Sequence, residues 1–324
     1  MLSLKQLEKY IHGALRIWEE DGWFRFSRFT ENQDKILDTR GAEFRKLASA
    51  GMRLEFTTLG GNIEFSYRSI KANGGPNQYF SVEITENGLP VYNQYTNELP
   101  RSGQIVYKIP QKATPVHIAI YFPSLATFDI KDVKLPEDIS PVSKDLKLLA
   151  LGDSITQGAV SIHPNHTYAN LLADRLNAEL INQGVGGEVF YKEVLENIPF
   201  SPDVITVAYG VNDHSEGLLN SPRTEEYLEK LYELYPDKPI FVLLPIWSEY
   251  GTEKKKGFTL EDGRIFLQKA TERFPNMTAI NCYSFVPHLP EFYWDDINCH
   301  PNDLGFIYYE KHLAKPIMEA LFKK

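Results

Sequence analysis

The sequence predicts an α/β fold with a doubly wound parallel sheet in its C-terminal half, preceded by an all-β sandwich of jelly-roll type. Three observations predict it. From Leu146 onward, short apolar runs alternate with segments of helical periodicity, the pattern of a parallel sheet with crossover helices. From Arg53 the first half changes to period two, with turn residues between the runs. Between the halves, Pro136, Pro141 and the charges around them interrupt both patterns and read as a linker. The expected division is therefore a helix plus β-sandwich over 1–135, a linker over 136–145, and the α/β domain over 146–324.

In order along the chain, 4–18 reads as a helix, and 25–30 alternates aromatics with Arg25 and Arg28. Leu54/Phe56, Ile63/Phe65/Tyr67, Phe80/Val82/Ile84, Ile105/Tyr107/Ile109, Ile118/Ile120/Phe122 and Phe128/Ile130 then mark strands. Gly60-Gly61-Asn62, Asn73-Gly74-Gly75-Pro76 and Asn87-Gly88 supply turns. Tyr79, Tyr92 and Tyr95 are either platforms for sugar rings or rim residues of the sandwich. His12 and His117 have no partner visible in the sequence and read as structural. In the second half, buried strands are expected at 146–151, 179–182, 204–209, 240–245 and 278–282. Helices are expected at 168–176, 225–235, 263–274 and 302–321.

Composition narrows the function. Across 324 residues, 43% are apolar and 24% charged, as in globular chains of two domains. A net charge of −9 argues against a nucleic-acid partner, because phosphate binding needs clustered cations. The one basic run, Lys254-Lys255-Lys256, reads as a solvated loop. Two cysteines make no disulfide framework, the N-terminus lacks a signal peptide's apolar region, and no stretch approaches the ~20 apolar residues a membrane span needs. These features predict a cytoplasmic protein with no membrane partner. Its oligomeric state is left open.

The chemistry lies in the loops that follow the second half's strands. Gly152-Asp153-Ser154, Gly184-Val185-Gly186-Gly187, Gly210-Val211-Asn212-Asp213 and 295–300 should meet at one edge of the sheet, where open α/β sheets bind ligands. On its own Gly-Asp-Ser is also a plain turn; the other loops make it a site. A serine hydroxyl needs a base to become a nucleophile, and His300 is the candidate. A nearby carboxylate would fix the histidine's tautomer. The Ser154 N–H, the Gly187 N–H and the Asn212 amide are candidate oxyanion donors. Asp153, His214 and Trp247 are candidate substrate-binding residues, with a surface role for His214 and a core role for Trp247 as the alternatives. His163 and His166 lie on a Pro-containing loop that edges a pocket and makes a poor metal motif. Cys299 reads as packing, its side chain pointing away from His300. No cofactor or metal is assigned a role. There is no Gly-x-Ser-x-Gly, so the nucleophile elbow of α/β-hydrolases is not expected.

Gly152-Asp153-Ser154-Ile155, Gly187, Gly210-x-Asn212-Asp213 and His300-Pro301-Asn302-Asp303 resemble the blocks of the GDSL esterases, or SGNH hydrolases, over about 146–324. The resemblance implies a flavodoxin-like α/β/α domain, a catalytic Ser154 and His300, and an oxyanion hole from Ser154, Gly187 and Asn212. It departs at the last block. The family's pattern has Asp three positions before the histidine, where this chain has Ile297. Asp296 is the candidate carboxylate through a bulged loop, with Asp295 or a backbone carbonyl as alternatives. The domain order is also similar to carbohydrate esterases with a jelly roll before an SGNH domain. The expected activity is a serine esterase acting on a small ester, an acetyl group on a carbohydrate first. The alternatives are a lipid-directed esterase or thioesterase, and an inactive carbohydrate-binding protein on the same fold.

Overall fold

Alternating β-branched and aromatic residues put one apolar face on each strand of the first half, and two such faces close on each other. A computed structural model describes residues 1–69, 80–96, 98, 101–294 and 299–322. Ile11–His12, Arg53–Thr58, Val116–Tyr121, Phe80–Glu86 and Leu89–Thr96 form one antiparallel sheet. Arg16–Glu20, Trp23–Ser27, Asp129–Lys134, Gly61–Ser69 and Arg101–Ile109 form the second. Phe56, Phe80, Ile84 and Ile120 of the first sheet meet Ile63, Phe65, Tyr67 and Ile130 of the second in one buried cluster. The result is the expected β-sandwich.

The long N-terminal helix is a correction. Only Leu4–Leu7 is helical, and the chain then enters the sheets at Ile11–His12 and Arg16–Glu20. Gly13 takes φ +84, which ends helical periodicity. Asp21 and Gly22, both at positive φ, turn Arg16–Glu20 back onto Trp23–Ser27 as a hairpin. A helix not foreseen follows at Glu31–Thr39, started by a capping box between Thr30 and Gln33. Tyr79 lies outside the described residues.

We number the parallel strands of the second half β1 (Leu146–Gly152), β2 (Ala178–Gly184), β3 (Val204–Ala208), β4 (Ile240–Leu244) and β5 (Met277–Asn281). Their order is β2-β1-β3-β4-β5. This is the flavodoxin-like arrangement, with its switch point between β1 and β3. The helices are α1 (Ser154–Gln157), α2 (Tyr168–Arg175), α3 (Val211–Ser215), α4 (Pro222–Leu234), α5 (Leu260–Thr271) and α6 (Asp303–Phe322). Leu148 and Ala150 face α2 and α6, whereas Leu149 and Leu151 face the α4 side. Burial on both faces explains why β1 is a continuous apolar run. Register sets the site: Gly152 pairs with Gly184 of β2 and with Ala208 of β3, so three strands end at one level. A Cβ on Gly152 would lie 2.7 Å from Thr156 Cβ and 2.8 Å from the Ala208 carbonyl, so only glycine lets this end close.

The halves meet through small apolar contacts, Phe29, Leu37 and Ala42 with Val185 and Leu125 with Ala159, and through buried polar groups. Ser140–Pro141 pairs with Arg53–Thr58, so the segment between the halves is tied to the first sheet. Arg28 is fully buried and donates to Ala48 O at 2.8 Å, Asn182 O at 2.5 Å, Gly184 O at 2.8 Å and Arg45 O at 3.4 Å. Burial lowers its pKa to about 9, with Asp34 acting in the opposite sense, so it stays charged at neutral pH. Arg28→Met would strand buried carbonyls at about 1–3 kcal/mol each. The variant should lose about 3 kcal/mol or more in urea unfolding, whereas Lys134→Met, at an exposed ion pair with Glu64, should lose less than about 1. Equal small losses would show that Arg28 does not join the halves.

Candidate active site

β1 delivers Ser154 to the first position of α1, a single turn stopped by Gly158 in the left-handed region. Asp153 caps that turn, its Oδ1 accepting from Ile155 N at 3.0 Å. Ser154 Oγ lies 2.8 Å from His300 Nε2, although 146 positions separate them in the chain. His300 is placed by the start of α6 and by the segment before it. Trp294 N donates to His300 O at 3.1 Å, Tyr293 bridges Pro301, and Asn302 N donates to Phe292 O at 3.0 Å.

The other two loops are fixed from several sides. Asn182 Nδ2 donates to Thr156 O at 2.7 Å, and its Oδ1 accepts from Gly184 N at 2.9 Å. Gly186 N donates to Gln157 Oε1 at 2.7 Å, and Val185 N to Gly152 O at 3.0 Å. Asn212, in the first turn of α3, donates one amide hydrogen to Glu188 O at 2.9 Å and keeps a second. Asp213 is fully buried and accepts from Phe190 N at 3.1 Å and Arg223 Nη2 at 2.8 Å. Burial pushes its carboxyl up to about 6, against the pull of Arg223. Neither the Ser154 nor the Gly187 N–H meets an acceptor among the described residues. Such a set can hold a hydroxyl beside a base, next to amides with free donors.

The remaining candidates divide. Asp153 is 2% exposed and turned inward, so its expected contact with substrate is corrected to a helix cap. Burial pushes its carboxyl up to about 7, while the Ile155 N–H and His300 pull it down. His214 is buried against the loop at Glu253, whose backbone it meets, and burial lowers its pKa. Trp247 stacks on His288 with ring centres 4.8 Å apart and packs on Tyr293 at 5.4 Å. It lines a cleft of about 440 Å³ with Ser248, Thr252, Arg264, Asn281 and Tyr283. Asp295, Asp296 and Ile297 lie outside the described residues. Cys299 is a second correction: its Sγ is 3.4 Å from His300 Nδ1. The chain bends at His300, so strand alternation does not separate the two side chains.

His163 faces Glu83 of the sandwich, and His166 lies 3.9 Å from Asp303. Among the described residues no group of three His, Cys, Asp or Glu side chains is arranged to hold a metal ion, and no helix is long and apolar enough to cross a membrane. What the sequence did not reveal is the first half's share of the site. Arg45 touches the Gly186 carbonyl and Arg40 the Glu188 carboxylate at 2.7 Å. A lone arginine outside any periodic run carries no signal that it reaches a loop 140 positions away.

Residues 150–306 match the model of the GDSL-like Lipase/Acylhydrolase family. No curated protein sequence matches the chain. Among solved structures, the salicylyl-acyltransferase SsfX3 from a tetracycline biosynthetic pathway superposes with a TM-score of 0.82 at 17% identity, covering 97% of this chain and 95% of its own. A GDSL-like lipase from Bacteroides ovatus gives 0.71 at 20% identity, with the same coverage of each chain. A family two carbohydrate esterase from Clostridium thermocellum, solved in complex with cellohexaose, gives 0.68 at 14% identity and covers 96% of this chain and 99% of its own. At these identities the likeness is one of fold, and it extends over both halves.

The buried Asp153 carboxyl has a consequence for stability. Its folded pKa of about 7 exceeds the usual carboxylate value of 3.8, so between these values the folded state holds a proton the unfolded state has shed. Stability from this group therefore falls as pH rises from about 4 to about 7, by up to about 4 kcal/mol. Asp153→Asn keeps the acceptor for Ile155 N and removes the titration. Relative to wild type it should gain stability between pH 5 and pH 8 in thermal melts. Parallel stability curves would contradict the assignment.

Proposed function

We propose that this chain, an ester hydrolase of the GDSL-like lipase/acylhydrolase family over residues 150–306, works through an acyl–Ser154 intermediate on a small carboxylic ester. One observation carries the reading: Ser154 Oγ and His300 Nε2 are 2.8 Å apart at the C-terminal edge of the parallel sheet. At that distance the histidine can accept the hydroxyl proton as Oγ attacks the ester carbonyl. The carbonyl oxygen becomes an oxyanion, and the Ser154 N–H, Gly187 N–H and Asn212 amide are the donors for it. Collapse expels the alcohol, protonated by His300. Water, deprotonated by the same nitrogen, then releases the acid. In this reading Asp296 supplies the carboxylate that holds the His300 tautomer.

An acetyl ester on a carbohydrate is the substrate class the reading favours. The cleft beside Trp247, His288 and Tyr283 offers aromatic faces and polar edges at a volume suited to a sugar residue. Carbohydrate esterases from Clostridium thermocellum and Butyrivibrio proteoclasticus share the two-part fold.

Ser154→Ala should abolish hydrolysis of p-nitrophenyl acetate without lowering Tm, because the lost hydroxyl sits at an open helix end. Near wild-type turnover would sink the serine mechanism. With wild type, the acetyl ester should be cleaved faster than the octanoyl ester; the reverse order would favour a lipid-directed enzyme, and no turnover of either a binding protein.

Asn212→Ala should lower kcat by on the order of 100-fold and leave KM little changed, since an oxyanion donor acts in the transition state. A change confined to KM would make Asn212 a substrate-binding residue.

A further inference from the structure

The Gly186 carbonyl and the Gly187 N–H belong to one peptide unit. The N–H is a proposed oxyanion donor, and the carbonyl at its other end is held by the first half of the chain. Arg45, at the start of the short 3₁₀ turn Arg45–Leu47, donates through Nη1 to Gly186 O and through Nη2 to Gly41 O at 2.9 Å. Gly187 takes φ +78, and a Cβ there would run into Arg45 Nη1. A Cβ on Gly186 would lie 3.6 Å from Arg45 Cδ and 3.7 Å from Ser154 Cβ. The arginine stem therefore comes within two contacts of the nucleophile.

Two glycines in succession leave this peptide free to rotate, because both flanking residues accept left- and right-handed backbone. Turned over, it would present a carbonyl oxygen to the oxyanion, which repels it. A guanidinium on the carbonyl opposes that rotation. It also favours the peptide's charge-separated resonance form, which places more positive charge on the N–H. Gln157 Oε1 holds the N–H of the preceding Val185–Gly186 peptide at 2.7 Å, so the chain entering the unit is held as well as the unit's carbonyl. Arg45 is itself held, its carbonyl accepting from the buried Arg28 at 3.4 Å.

We infer that Arg45 is a positioning residue, acting through the Gly186–Gly187 peptide to aim and strengthen the Gly187 N–H as an oxyanion donor. The inference rests on the acyl–Ser154 reading above. It gives the sandwich half a part in the reaction, from a residue outside the segment that the family model matches.

The test uses the full chain with Arg45→Met and Arg45→Lys, p-nitrophenyl acetate as substrate, and phenylboronic acid as a probe that forms a tetrahedral anion on a serine. Arg45→Met should lower kcat about 10- to 100-fold with KM within about threefold, less than or equal to the full loss of one donor. Its Ki for the boronic acid should rise by the same factor, which a merely structural role would not produce. Arg45→Lys should recover part of both losses, and it carries the test alone if the methionine variant does not fold. Unchanged kcat, a loss confined to KM, or a fall in kcat with unchanged boronate affinity would overturn the inference. Ser154→Ala, run alongside, separates the two claims. If it stays active, the underlying reading fails whatever Arg45 does; if it is dead and Arg45→Met is not impaired, only the inference fails.

Discussion

A guanidinium with no access to water lies where the halves of this chain meet. Arg28 cannot shed its charge at neutral pH, so it must find acceptors, and the burial that lowers its pKa makes those acceptors obligatory. Four backbone carbonyls supply them. Two belong to the end of β2, at Asn182 and Gly184, and two to the turn that carries Arg45. One cation thus fixes the position of a sandwich loop against the strand whose end carries Gly186 and Gly187. Were the sandwich displaced from β2, the Asn182 and Gly184 carbonyls would lose this donor and the buried charge would lose two of its four acceptors.

A second polar network holds the halves together near the start of β2. Glu55 is buried, which alone would raise its pKa, yet a hydrogen bond from His117 and the charges of Arg53 and Lys144 hold it well below the usual carboxylate range. Arg53 reaches Asp174 of α2 at 3.1 Å, and His12 pairs with Glu179 of β2. Tyr121 donates to Asp174 Oδ2 at 2.6 Å. Pairs of this kind resist removal of one partner more than they add stability, so they fix orientation. The large apolar clusters of the sandwich and of the parallel sheet are separate; small apolar contacts, Phe29, Leu37 and Ala42 with Val185 and Leu125 with Ala159, join the polar ones in tying one to the other. The site sits against that polar boundary.

What was legible in the sequence follows from this division. Periodicity reports which face of an element is buried, so most strands of the first half, the five of the second and the four loops that follow them could be read directly; Arg16–Glu20 and Leu89–Thr96 could not. Ser154 and His300 could be paired because strand ends on one sheet edge must be neighbours. The N-terminal helix was misread because the Asp21-Gly22 hairpin turn outranks the helical spacing of Leu4 to Trp18. Cys299 was misread because alternation was applied across a bend. Arg28, Arg45 and Arg53 were illegible as partners, since a side chain that crosses between domains leaves no pattern in its own neighbourhood. Asp296, the carboxylate candidate beside the departure from the GDSL pattern at Ile297, lies outside the described residues.

The central claim is that the oxyanion hole is assembled at the ends of β1, β2 and β3, with the sandwich half holding one of its peptides in place. The most direct measurement is a crystal structure with a phosphonate ester trapped on the enzyme. The account predicts the phosphorus on Ser154 Oγ, and its free oxygen about 2.7–3.1 Å from the Ser154 N–H, the Gly187 N–H and the Asn212 amide. Arg45 should remain on the Gly186 carbonyl. A phosphonate on another residue, or an oxygen turned away from these three donors, would contradict it.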